Sequence, residues 1–370
     1  QTEGGSALPL RSRRPPHKRR SSRTMEKAAA PPAVVHREGC SAWAPLVLLF
    51  TTEAAVWIVM TFVVLLPIVA PSSPFDALAH YRSTPSYMET AVGWMMLIIY
   101  QGLFALLIIS IVRTVRTPPG DIPSWLRSDG RSDLHSYSNL LQAVERKKKT
   151  KGPRYCRKTA FLKPDRAHYC HDVGSCVLQY QLFSNVFNSP IGFYNYKFYL
   201  LSLFYGLLTS AWVVGATIPE VIAMSHRLGG GTSGGGDSTS LALLAAEPAA
   251  HIYQTLLRAY EPASLSLDKG ETAAVMCVIS TLALSALMVL PCAGLIVWHV
   301  ALIAHGRTAY EWQQARAGLR EGLSQFDYGV LNNLALTLGV YPLLWLVPTR
   351  TGIEGNGIFF PEKHQAERQW

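Results

Sequence analysis

Four long apolar runs constrain this chain more than anything else in its 370 residues. The cleanest is Ala91–Val112, 22 residues without a charge and closed by Arg113. At a rise of about 1.5 Å per residue, such a helix crosses the roughly 30 Å hydrocarbon layer of a bilayer. Residues 43–70 are similar but carry Glu53, residues 198–218 are apolar up to Pro219, and residues 273–304 contain Pro291 and, near the end, His299. One such run would suit a buried core helix, but soluble cores seldom need four. The excess length of the last run predicts a tilted or kinked helix. The expected fold class is an all-α integral membrane protein with four transmembrane helices.

Lysine and arginine set the expected orientation. Nine precede the first span, one lies between the first two, fifteen fall between Arg113 and Lys197, three between Ser225 and Glu271, and six follow Ala304. By the positive-inside rule both termini and the segment 113–197 face the cytosol, while residues 71–90 and 225–271 face the lumen or outside. The net charge of +10 then follows from orientation and from contact with anionic lipid headgroups. "RSRRPPHKRRSSR" has neither aromatic interleaving nor a recognisable binding fold, so membrane lipids rather than nucleic acid are the expected partners. Residues 1–42 read as a basic, disordered arm without a secretory signal, with Met25 as a candidate start. The loop 225–271 is a Gly/Ser-rich linker, and the basic run 145–154 favours acidic lipids.

Three of the six cysteines, Cys40, Cys277 and Cys292, lie near or within apolar runs, where a thiol is usually a small packing group; Cys40 is also a candidate for S-acylation. Cys156, Cys170 and Cys176 cluster between spans two and three, on the expected cytosolic side. Thiols stay reduced there and serve metal binding, catalysis or packing. Glu53 is an expensive residue inside a span, by default a site for ion or proton passage. It stands without a second intramembrane charge, and is expected to snorkel or to pair with His299.

Several short motifs occur in one order along the chain. "PPGDIP" supplies Pro119, Gly120 and Pro123; "KPDRAHYC" supplies Lys163, Pro164, Arg166 and Cys170; "CV" supplies Cys176 and Val177. "IGFYNYKF" supplies Gly192, Asn195, Tyr196, Lys197 and Phe198, and "TAYE" supplies Thr308 and Glu311. "FDYGVLNNLALTLGVYPLLWLVP" supplies Asn333 and Gly339. With four spans and a cysteine-containing segment between spans two and three, this frame resembles the DHHC-type protein S-acyltransferases, or palmitoyltransferases, over roughly residues 43–348. The resemblance implies a small cysteine-rich domain at 156–198, a cytosolic C-terminal region at 305–370, acyl-CoA as ligand, protein clients or an active family member as partners, and residence in the endoplasmic reticulum or Golgi.

The departures fall on the chemistry. Where the family carries Asp-His-His-Cys, this chain aligns Gln181, Leu182, Phe183 and Ser184, followed by Asn185 and Val186. The family cysteine takes the acyl group as a thioester with help from a histidine, and a thiolate suits that role. Ser184 would need an adjacent general base, which Leu182 and Phe183 cannot provide. The family also implies two zinc ions with interleaved ligands. Cys156 and Cys176 persist at the first site beside Thr159 and Tyr169. At the second, Cys170 stands with Val173, Phe183 and Pro190. His168 and His171 would complete a ligand set only in a shifted register, and tetrahedral zinc is demanding of geometry. The expectation is a segment held by hydrophobic packing where the family uses metal, in a protein that is catalytically degenerate and acts as a membrane scaffold or regulatory partner. Two alternatives stand beside it. One is an acyltransferase with Ser184 as nucleophile, His168 or His171 as base, and Glu311 or Asp121 as orienting acid. The other is a transporter built on Glu53.

Overall fold

The computed structural model describes residues 40–65, 87–126, 154–228, 269–318 and 326–360. The expected basic arm, most of the linker 225–271 and the basic run up to residue 153 lie outside the described residues.

Four helices are long and apolar enough to cross a membrane: Ser41–Leu65, Thr90–Arg116, Tyr196–Pro219 and Val275–Ala304. The first comprises α1 (Ala44–Ile58), with Pro45 inside its first turn, and a π-helical continuation, Val59–Leu65. Helix α2 (Tyr87–Arg116) outruns its uncharged core at both ends and places Arg113 and Arg116 in its last turn, where cations suit the negative end of the helix dipole. Helix α3 (Tyr196–Leu228) continues past Pro219, and α4 (Lys269–Ala304) continues through Pro291. The chain is a multi-pass membrane protein. Large apolar side chains such as Leu48, Ile98, Leu287 and Leu290 stand exposed on the spans, the arrangement a lipid solvent favours.

Between α2 and α3 sits a small unit of two antiparallel hairpins. Strands β1 (His168–Cys170) and β2 (Ser175–Val177) pair with Tyr169 opposite Cys176. Strands β3 (Leu182–Ser184) and β4 (Ser189–Ile191) pair with Phe183 opposite Pro190 and Ser184 opposite Ser189. The second turn closes at Asn188, whose φ of +45° is a conformation asparagine tolerates. After α4 come a short helix α5 (Ala309–Arg316) and the amphipathic α6 (Val330–Leu338).

"PPGDIP" is laid along the hairpin unit as an extra edge: the Leu178 amide donates to the Gly120 carbonyl at 2.9 Å, that of Tyr194 to Pro119 at 3.1 Å, and Asp121 bridges to Val177. That contact dictates Gly192. A Cβ there would stand 2.5 Å from the Pro119 carbonyl oxygen and 2.5 Å from Val177 Cγ1, so two backbones approach as only glycine permits.

Candidate functional site

The motif residues act as joints between the hairpin unit, the span ends and the C-terminal region. Arg166, held at φ +63°, donates from Nε and Nη2 to the two carboxylate oxygens of Glu311 at 3.1 and 3.0 Å, and from Nη2 to the Gly306 carbonyl at 3.0 Å. Both partners of this ion pair are buried, 6% and 5% exposed. The guanidinium also lies over Phe326. Glu311 simultaneously closes a capping box on α5, accepting from the Thr308 amide while the Thr308 hydroxyl accepts from the Glu311 amide. "KPDR" and "TAYE" are two halves of one buried connection.

Asn195 accepts from the Gly192 amide at 2.9 Å and donates to the Pro190 and Thr114 carbonyls, stitching β4 to the start of α3 and the end of α2. Asn333 accepts from the Tyr328 amide and donates to the Ala304 carbonyl and Asp327, so one amide caps the start of α6 and the end of α4. Gly339 ends α6 at φ +110° and accepts from the Trp345 indole at 2.7 Å. Tyr196 meets His299 Nδ1 at 3.0 Å across the α3–α4 interface. His299 is therefore engaged with Tyr196. Glu53, among the described residues, has no ion pair and lines a cavity of about 40 Å³ with Tyr100, Thr209, Ser210 and Ser285. The expected Glu53–His299 pairing is not formed.

The four residues aligned with the family signature lie on and just before β3. The Gln181 carboxamide oxygen accepts from the Ala309 amide at 2.9 Å, capping the start of α5. Ser184 is buried, and its hydroxyl accepts from the Phe187 amide at 3.4 Å within the hairpin turn. Leu182 packs against the span-side core and Phe183 against Cys170, Val177 and Tyr180. The groups considered as base and orienting acid are placed elsewhere. His168 stacks on Tyr310 with centroids 4.2 Å apart, and His171 stands edge-on to Tyr169 with its Nδ1 3.5 Å from Lys158 Nζ. Glu311 is bound to Arg166. Burial lifts the Asp121 carboxyl from its ordinary value of 3.8 to about 6.

The donor set for zinc is equally specific. Cys156 and Cys176 come together with the Thr159 hydroxyl, which is 3.5 Å from Cys176 Sγ, and Tyr169 packs on the same cluster. Burial opposes ionisation of Cys156, but hydrogen bonds from Thr159, Cys176 and the Lys158 amide outweigh it and bring the thiol down to about 7. Burial holds Cys176 up at about 12 despite its Thr159 contact. Cys170 sits among Val173, Val177, Tyr180, Phe183 and Tyr310, and burial raises its thiol. Among the described residues no three His, Cys, Asp or Glu side chains gather where a metal ion would sit. Two thiols with a hydroxyl, and one thiol in hydrocarbon, do not fit two tetrahedral zinc ions.

A family model described as DHHC palmitoyltransferase matches residues 149–316. The chain belongs to the DHHC palmitoyltransferase family. It is 25% identical over 295 residues to a probable protein S-acyltransferase 14 of Arabidopsis thaliana, covering 76% of this chain and 82% of that protein. It is 25% identical over 209 residues to palmitoyltransferase ZDHHC15A of Danio rerio, covering 56% and 51%. Over a shorter stretch of 67 residues, 18% of each chain, identity to palmitoyltransferase ZDHHC20 of Homo sapiens reaches 46%. Yet no Asp-His-His-Cys tetrapeptide occurs anywhere in this family member. Motif residues such as Arg166, Glu311, Asn195 and Asn333 stand at these joints, and the sequence does not show what each holds. Lys197, a motif residue, and Arg113, offered by the sequence only as the charge that closes a span, both bind carbonyls of the C-terminal region.

Proposed function

We propose that this DHHC-family protein, S-acyltransferase-like in descent, no longer transfers acyl groups and serves as a membrane scaffold or regulatory partner for protein clients or an active family member. The observation that carries this reading is the reassignment of the signature positions to folding. Gln181 caps α5 through its side chain, Ser184 accepts a turn amide, and Leu182 and Phe183 are packing residues. No hydrogen bond joins Ser184 to a described imidazole or carboxylate, and a hydroxyl without a base is a poor nucleophile at neutral pH. The apolar residues at the former metal positions support the same reading, since they hold the hairpins by packing where zinc would otherwise do so.

The hairpin unit and both termini lie on the cytosolic side in this account, an orientation that rests on the lysine and arginine distribution; residence in an endomembrane rests on the family resemblance alone. Purified protein given a labelled long-chain acyl-CoA is expected to acquire no hydroxylamine-sensitive label. A hydroxylamine-sensitive thioester label, or a hydroxylamine-resistant ester label that Ser184→Ala abolishes, would establish acyl transfer to the protein and overturn the proposal.

A further inference from the structure

The stretch Tyr341–Pro348, "YPLLWLVP", is eight residues without a charge, far too short for a span. It nevertheless makes polar contact with two spans, near their ends and, at Tyr205, farther along. Lys197 Nζ donates to the Leu344 carbonyl at 2.8 Å, the Tyr205 hydroxyl donates to the Leu346 carbonyl, and Arg113 Nη1 donates to the Pro348 carbonyl. Its own amides turn inward: Leu344 donates to Tyr341, Trp345 to Pro342 and Val347 to Leu344, while the Trp345 indole is taken up by Gly339. The side chains do the opposite. Leu343 is 93% exposed and Leu346 54%, with Tyr341 and Val347 exposed beside them.

Irregular backbone is admitted at membrane depth only where protein takes up its polar groups, and here protein takes up the carbonyls of Leu344, Leu346 and Pro348 and the amides of Leu344, Trp345 and Val347 while the apolar side chains turn outward. Depth supports this. The span Tyr196–Pro219 has 24 residues, about 36 Å of helix against about 30 Å of hydrocarbon. The Cα of Tyr205, about 13 Å along that helix from Tyr196, then lies about 10 Å inside the boundary. Its side chain leans back toward the helix N-terminus, so the Leu346 carbonyl it holds remains below the boundary. We infer that Tyr341–Pro348 is a re-entrant wedge, seated in the acyl-chain region of the leaflet on the hairpin side and anchored there by Arg113, Lys197 and Tyr205. The occupant of its apolar face is lipid, because Lys197 and Tyr205 hold the stretch against a span, and the exposed side chains of the spans are themselves apolar.

Photo-cross-linking tests it in nanodiscs of phosphatidylcholine with phosphatidylserine, using the full chain with a benzophenone amino acid at Leu343 and, in a second protein, at Leu346. Leu290, 80% exposed on α4, serves as the lipid-facing reference and the exposed Arg157 of the hairpin unit as the aqueous one. Intact mass after illumination is expected to show phospholipid adducts at both wedge positions, about as abundant as at Leu290 and on the order of tenfold above Arg157. Adducts at the Arg157 level at both positions, or a cross-linked dimer in place of lipid adducts, would overturn the inference.

Discussion

Replacing Arg166 by methionine removes two hydrogen bonds to Glu311 and one to Gly306, and leaves a 5% exposed carboxylate that still accepts from the Thr308 amide but has lost its cation. Summing three charge-assisted bonds would overstate the loss, because folding also dehydrates both ions. Breaking one side of a buried pair costs about 3–5 kcal/mol, and the lower half of that range is expected here because the capping box still donates to Glu311. Arg166→Lys should recover little, since an ammonium cannot bridge both carboxylate oxygens and the Gly306 carbonyl as the guanidinium does. Replacing both Arg166 and Glu311 by methionine leaves no stranded charge, and should cost less than the sum of the single changes by about 2 kcal/mol. The assay is thermal unfolding of the purified variants in one detergent at one scan rate, with protease cleavage within residues 154–195 as a local readout. A loss under about 1 kcal/mol for Arg166→Met, or strictly additive changes, would refute the idea that this pair locks the hairpin unit to α5.

Three further outcomes follow from the same geometry. Asn333→Ala strands the Ala304 carbonyl and the Tyr328 amide, and should destabilise by about 2–3 kcal/mol in thermal unfolding. Gly192→Ala forces apart the Pro119 and Val177 contacts; hydrogen exchange at the Leu178 and Tyr194 amides should accelerate while the spans stay protected. Asp121 binds its proton more tightly folded than unfolded, so its contribution to stability is present below about pH 4 and is lost as pH rises through about 6. Asp121→Asn should flatten that part of the stability–pH curve.

The spans were legible because length and apolar composition answer directly to bilayer thickness. The joints were legible only as names: Arg166 and Glu311 are separated by 145 positions, and nothing local in "KPDR" says that its arginine meets "TAYE". The wedge is hidden in the sequence for a related reason, since its donors lie on α2 and α3, far along the chain from the motif that contains its eight residues. Of the two fates expected for Glu53, pairing with His299 is not formed, because helix register sets His299 against Tyr196. Such registers depend on how four helices pack together, which periodicity in one helix does not encode. The poor fit to zinc, by contrast, is legible in residue identity, because valine, phenylalanine and proline offer no ligand atoms whatever their placement.

The central claim is that the signature positions now serve folding rather than acyl transfer. Release of free CoA from a long-chain acyl-CoA by the purified protein in nanodiscs tests it most directly. The account predicts release no faster than from empty nanodiscs and unchanged in Ser184→Ala. Release well above that background, lost in Ser184→Ala, would contradict it.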